Sequence, residues 1–178
     1  RLQAVTIDTG LPQWSRRVGV GAGSREVERM SDVDGMPIVD KNQLFAISYS
    51  GQLLGIDLAS RQVLFVNELA SLKSLAVNNQ QVIATSLDGK VVAYNRSNGE
   101  VLWESEELAY RHLTNPVMIG NYIAVGDFDG VVHLFDPASG KIVSRVQTKG
   151  ALSSLQVQGS RLLTQSTSGQ VAIWQLGR

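Results

Sequence analysis

One fifteen-residue stretch constrains this chain more than any other: Gly89-Lys90-Val91-Val92-Ala93-Tyr94-Asn95-Arg96-Ser97-Asn98-Gly99-Glu100-Val101-Leu102-Trp103. Its alternating first half, its turn closing on Gly99 and its second run carrying Trp103 read as one β-hairpin. The same frame returns three times. Residues 51–65 place Asp57, Arg61 and Phe65 where the first stretch has Asn95, Gly99 and Trp103, and residues 130–144 place Asp136, Gly140 and Ser144 there. Residues 1–14 place Thr6, Gly10 and Trp14 there and lack only the opening glycine. The spacing has a local cause. Asp, Asn or Thr at a turn entrance accepts hydrogen bonds from backbone N–H groups just ahead, and glycine then supplies the left-handed geometry that closes the turn. Arg61 must adopt that geometry at a cost of about 1 kcal/mol or change the turn.

A fixed-period repeat settles the fold class before any site does. The anchors Gly51, Gly89, Gly130 and Gly169 lie 38, 41 and 39 residues apart, close to the roughly 40-residue period of four-stranded propeller blades. β-branched and aromatic residues in period two, separated by Gly/Asn/Asp turns, predict strands over 2–7 and 13–18, then 37–39, 44–48, 53–57 and 62–66. A second unit follows at 74–77, 81–85, 90–94 and 100–104, and a third at 115–119, 122–126, 131–135 and 141–146. The last unit offers 154–157, 162–165 and 170–175 and stops. No helical periodicity competes. The expected fold is all-β: a partial propeller over 1–178, with a half blade at 1–18, blades at 36–69, 72–108 and 111–148, and an incomplete blade at 150–178. Residues 19–35, with four glycines around a charged middle, form a connection long enough to be read as functional rather than as a spacer, the bland alternative being a disordered surface excursion.

Composition narrows the function. Sixteen basic residues balance sixteen acidic ones, so nothing favours nucleic acid or an anionic membrane surface. The chain has no cysteine, which removes disulfides, thiol nucleophiles and thiolate metal sites. No apolar run approaches the ~20 residues of a membrane-spanning helix, and residues 1–15 do not read as a signal peptide. Without a starting methionine, the chain is expected to be processed or truncated. No Gly-x-Ser-x-Gly and no Ser-His-Asp set is present. His112 and His133 lack a paired ligand motif and are expected to be surface or satisfied histidines. Asp127-Phe128-Asp129-Gly130 has the opening of a calcium loop without its remaining ligands or closing glutamate, so no metal or cofactor is expected. Trp14, Phe65, Trp103 and Trp174 are expected to pack between blades rather than stack bases, with Ser144 breaking the series.

The 89–103 stretch resembles the quinoprotein-type (PQQ-like) propeller repeat, G-x-φ-x-A-x-D-x-x-x-G-x-x-x-W. Within that superfamily the chain resembles the C-terminal part of the BamB family, propeller lipoproteins of the outer-membrane β-barrel assembly machinery. The residues carrying that likeness are 23–39 (Gly-Ser-Arg-Glu-Val-Glu-Arg-Met-Ser-Asp-Val-Asp-Gly-Met-Pro-Ile-Val), 44–51 and 125–130. The resemblance implies an eight-bladed ring, of which this is about half, held at the periplasmic face of the outer membrane by an N-terminal lipidated cysteine that the sequence lacks. It implies a non-enzymatic scaffold whose partners are the POTRA domains of a BamA-type subunit and unfolded outer-membrane proteins. The alternative is a fragment of a quinoprotein-like dehydrogenase, which would need a cofactor pocket with calcium-binding acidic groups and a tryptophan floor.

Blade geometry sorts the loops. The connection into strand one and the turn between strands two and three share a face, so that Asp32 and Asp34 stand with the turns at 50–51, 88–89, 127–130 and 168–169. Spaced i, i+2, Asp32 and Asp34 point the same way in extended chain; they could hold one cation or one basic partner, or simply cap a turn. The resemblance assigns the pair to the partner-binding surface, with Glu28, Arg29 and Ser31 beside it. An open half ring leaves unpaired sheet edges, so the chain is expected to self-associate.

Overall fold

The computed structural model describes residues 2–16, 35–49 and 51–176. Among these residues, seventeen strands form five consecutive antiparallel sheets. Strands β1 (Leu2–Val5) and β2 (Pro12–Arg16) make a two-stranded sheet. Strands β3 (Ile38–Asp40), β4 (Gln43–Ile47), β5 (Gln52–Asp57) and β6 (Val63–Glu68) make the first four-stranded blade. The second contains β7 (Ala76–Val77), β8 (Gln81–Thr85), β9 (Val91–Asn95) and β10 (Val101–Ser105). The third contains β11 (Val117–Ile119), β12 (Tyr122–Gly126), β13 (Val131–Phe135) and β14 (Ile142–Gln147). The last sheet has β15 (Leu152–Gln158), β16 (Arg161–Ser166) and β17 (Val171–Gln175). Each blade is wound in chain order, and the first strands β3, β7, β11 and β15 touch in succession. The fold is a PQQ-like β-propeller, about half a ring.

The packing explains the strand patterns. A complete blade is covered on both faces, so its middle strands are buried at all but their end positions, as in Val82-Ile83-Ala84. Val82 and Ala84 face the first blade, in a core with Phe45, Leu53 and Phe65. Ile83 faces the third, in a core with Val125 and Phe135. The outer strands β10 and β14 are largely exposed and read more polar.

The repeated hairpin behaves as its spacing requires. Gly99 and Gly140 have φ of 75° and 68°, and their N–H groups donate to the carbonyls of Asn95 and Asp136. Arg61 adopts the same left-handed geometry at φ 59° rather than changing the turn. The carboxylate of Asp136 accepts from the Ala138 N–H and that of Asp57 from the Ser60 N–H. Beyond each turn the pairing slips at a bulge, which brings the aromatic position opposite a small residue: Trp14 opposite Ala4, Phe65 opposite Gly55, Trp103 opposite Ala93. In the third blade Ser144 stands opposite Leu134. The bulk missing from Ser144 is thus supplied across the pair by Leu134, which is buried against the last sheet. Phe65 is buried, whereas Trp14 and Trp103 are half-buried at their inter-blade positions, less than the large burial expected, because they sit near the outer rim.

Candidate interaction face and inter-blade cleft

The turns between second and third strands repeat one chemical plan. Ser48, Ser86, Asp127 and Ser166 open them, and in each the side-chain oxygen accepts from the backbone N–H four residues on, at 3.2, 2.9, 2.9 and 3.0 Å. Gly51, Gly89, Gly130 and Gly169 close them with φ between 82° and 95°. Each turn is tied to its neighbours through backbone: Leu87 N–H donates to the Ala70 carbonyl, Phe128 N–H to that of Arg111, and Thr167 N–H to that of Ala151. These bonds put the turns and the blade-to-blade connections on one face, as the blade geometry requires.

That face exposes several large apolar side chains among its polar turn residues. Tyr49, Leu87 and Phe128 occupy the same place in three successive turns and are all exposed. Tyr110 is 82% exposed. Tyr110 and His112 hold φ of 62° and 47°, a conformation costly for residues with a β-carbon and common where a loop has a task beyond connection. The His112 ring meets Phe128 edge-on at 5.8 Å. Asp32, Asp34, Ser31, Arg29 and Glu28 lie outside the described residues. The chain immediately after them is held in place. Met36 N–H donates to Ser74 Oγ, and Gly35 is so close to the Lys73 carbonyl that an added β-carbon would fall 2.7 Å from it. The chain therefore enters β3 beside the 71–74 connection, on this face.

Asp127 differs from its serine counterparts by bringing a charge into the turn. It is fully buried, and its Oδ2 accepts from Arg111 Nε at 2.6 Å and lies 2.8 Å from His133 Nε2. Arg111 Nη2 reaches Asp129 at 2.6 Å. The Asp127-x-Asp129 pair is thus brought together on a guanidinium. Burial alone would raise the Asp127 pKa, but the bonds from His133, the Val131 N–H and Arg111 outweigh it and hold the carboxyl below its usual range. Burial also pushes the His133 pKa down, more than Asp127 raises it, so the ring is neutral with its Nε2–H donating. Its Nδ1 is buried and has no hydrogen-bond partner among the described residues. Spacing alone does not disclose this cluster, although Asp127 in a series of serines is its signal.

A cleft of about 1030 Å³ opens between the outer halves of the first and second blades, lined by the ends of β5, β6 and β9, the Ser86–Asp88 turn and β10. Lys90 bridges Glu104 and Glu106, each at 2.7 Å.

A family model described as "Outer membrane protein assembly factor BamB" matches residues 1–105. The chain belongs to the BamB family. The BamB proteins of Yersinia pestis and Escherichia coli K12 are 32% and 31% identical to it over 173 residues, 96% of this chain and 44% of theirs. The chain therefore spans somewhat less than half the length of these curated relatives. The crystal structure of BamB from Moraxella catarrhalis superposes with a TM-score of 0.93 at 51% identity, over 98% of this chain and 52% of that one. The computationally designed Ika4 protein, 18% identical with a TM-score of 0.71, shares the fold alone. The BamB relatives carry the name of an assembly factor for outer-membrane proteins, not of a catalyst.

Proposed function

We propose that this chain is part of a non-catalytic scaffold subunit of the outer-membrane protein assembly machinery, working at the periplasmic face of that membrane. Its task is to bind the POTRA region of a BamA-type subunit and so to assist β-barrel insertion. Membership of the BamB family carries the reading. The face built from the inter-strand turns supports it physically. Tyr49, Leu87, Tyr110 and Phe128 are exposed on one face whose turns are tied together by backbone hydrogen bonds, and exposed aromatic and apolar side chains are what a protein-binding surface presents. Asp32 and Asp34, with Glu28, Arg29 and Ser31, supply the charged part of the contact in this proposal, since the segment that carries them enters β3 beside Ser74. Unfolded outer-membrane proteins are a second class of partner for the same scaffold. In the full-length protein, a lipidated N-terminal cysteine upstream of this sequence would provide the anchor.

The test is a binding measurement between immobilised POTRA domains and the protein. A charge-assisted contact contributes about 1.5–3 kcal/mol. Replacing both Asp32 and Asp34 by alanine should therefore weaken binding by about tenfold or more while leaving the melting temperature nearly unchanged. Tyr110→Ser should weaken it as well. Unchanged affinity in both variants would remove the proposed face.

A further inference from the structure

The cleft between the first two complete blades has a floor that packing does not explain. Tyr94 occupies the repeat position held by Ile56 in the preceding blade and Phe135 in the following one. Its ring belongs to the inter-blade core, and the residue is only 4% exposed. Tyr94 lines the cleft, and its hydroxyl has no hydrogen-bond partner among the described residues. Burial, and after it the charge of Glu104, push its pKa up to about 12, so the group stays a protonated donor. A phenylalanine there would fill the core equally well and leave no polar atom to satisfy. In the comparable cleft between the last two sheets, Trp174 stands at this position, and its Nε1 donates inward to Thr164 Oγ1 at 3.1 Å. Of these two clefts, the first alone leaves its deep polar group open.

The walls carry an excess of negative charge. Glu68, Asp88 and Glu104 line the cleft, with Glu106 at its edge on Lys90. Lys90 is the one cation among these lining groups and is shared between Glu104 and Glu106. The Asp88 carboxylate accepts only from the neutral Ser86 hydroxyl, and Glu68 has no ion-pair partner among the described residues. Between the carboxylates lie apolar surfaces from Leu69, Leu87 and Val101, the last two exposed. Aliphatic stems of arginine and lysine lie along such surfaces while their charged heads reach outward to carboxylates. At about 1030 Å³ and open along its length, the cleft is too large for one ion. Its size is at the upper end of pockets that enclose small ligands, roughly 300–1,000 Å³.

We propose that this cleft is a binding site for a basic polypeptide segment in extended conformation. Its arginine or lysine side chains pair with Glu68 and Asp88, and a backbone carbonyl accepts from the Tyr94 hydroxyl. The site lies at the interface between the first and second blades, the same interface at which Gly35 and Met36 meet Lys73 and Ser74. It rests on the cleft alone, not on the POTRA reading.

The experiment titrates the chain with a blocked Gly-Arg-Gly-Arg-Gly peptide by calorimetry at low ionic strength, with the Gly-Glu-Gly-Glu-Gly peptide as the opposite-charge control. The basic peptide should bind saturably, more weakly as salt is added, and the acidic one should not bind. Tyr94→Phe, which keeps the ring in the core, and Glu68→Gln should each weaken binding by about fivefold or more. Amide shifts on binding should concentrate at residues 67–70, 86–90 and 101–104. The proposal is overturned by absence of saturable binding, by equal binding of both peptides, by unchanged affinity in both variants, or by shifts confined elsewhere. Spermine binding as tightly as the peptide, with the same response to Tyr94→Phe, would overturn the polypeptide assignment.

Discussion

The indole of Trp103 covers Gly140 of the next blade so closely that a β-carbon added at Gly140 would fall 2.5 Å from indole Cδ2. Phe65 stands in the same relation to Gly99, again at 2.5 Å. The turn glycine of the repeat therefore answers two demands. It closes its own hairpin at positive φ, and it makes room for the aromatic residue that the preceding blade lays against it. Trp103 is further held by its Nε1–H donating to the Pro137 carbonyl at 2.6 Å.

The two demands can be separated. Gly10 has φ of 66° with nothing within 4 Å of an added β-carbon, so Gly10→Ala should cost only the backbone strain, about 1–2 kcal/mol. Gly140→Ala should cost about 1–3 kcal/mol more, because an overpacked contact is added to the strain. Urea unfolding of the two variants gives the comparison. Equal costs would mean that Trp103 yields freely.

Removing the aromatic side should open the same contact from the other direction. Trp103→Ala is expected to cost about 3 kcal/mol, the lower end for a large core aromatic, because the indole is half-buried. A cost below about 1 kcal/mol, the size of an ordinary surface substitution, would show that the stack on Phe135 and Gly140 contributes little.

On the opposite face, Arg96 locks the first two blades together. It is buried, donates from Nη1 to Asp40 Oδ2 at 2.6 Å and to the Asn78 carbonyl at 2.7 Å, and from Nε to Gln43 Oε1 at 2.6 Å. Its guanidinium also lies 5.6 Å from the Phe45 ring centroid. Arg96→Met keeps the stem but strands these acceptors, and should destabilise by about 2–4 kcal/mol. Arg96→Lys should recover only part of that, since an ammonium cannot reproduce the fork. Full recovery in the lysine variant, measured by denaturant unfolding, would show that charge rather than geometry matters there.

The blades are legible in the sequence because the hairpin repeat carries local rules, and all seventeen expected strands are present with ends shifted by a few residues. The clamps between blades are not. Arg96 looks like a solvated turn residue, and only the fold brings Asp40 and Gln43, more than fifty positions away, against it. The Asp127 cluster and the Tyr94 hydroxyl escape for the same reason: both are single departures from a repeat whose average is unremarkable. Family likeness singles out Asp32 and Asp34, and the described residues show where their segment enters β3 without reaching the pair.

The His133–Asp127 pair should give stability a measurable pH dependence. Burial depresses the folded-state pKa of His133 below its ordinary value. The unfolded chain therefore takes up a proton near pH 6.5 that the folded chain resists. The contribution is complete above that pH and is lost as pH falls from about 6.5 through the lower folded-state value. Asp127, held below the carboxylate range, adds a second loss only in the more acidic region below about pH 4. Melting temperatures between about pH 7.5 and 5 should fall in the wild type and fall less in His133→Gln. Parallel curves for the two would show that another group governs this range.

The open sheet at the end of the chain should drive self-association. Strand β17 bonds to β16 on one side and to no strand on the other among the described residues. By the register Leu163↔Ile173 and Gln165↔Val171, its exposed Val171 and Ile173, each 64% accessible, stand on the face opposite Trp174, which packs toward the third blade. At the other end, among the described residues, β1 and β2 pair with each other alone, in a hairpin equivalent by its Thr6, Gly10 and Trp14 to the third and fourth strands of a blade. Unpaired edges beside apolar side chains favour pairing with another strand. When two copies meet head to tail, β2 of one can lie beside the unfinished sheet of the other, completing a four-stranded blade once one of the duplicated third strands is displaced. Two such junctions close a two-fold ring. The 178-residue chain should therefore scatter light with a mass near twice 19.3 kDa at micromolar concentration. Val171→Lys together with Ile173→Lys should return it to the monomer by placing charge on the edge. A wild-type mass of one chain over that concentration range would show that the β17 edge is protected without a second copy.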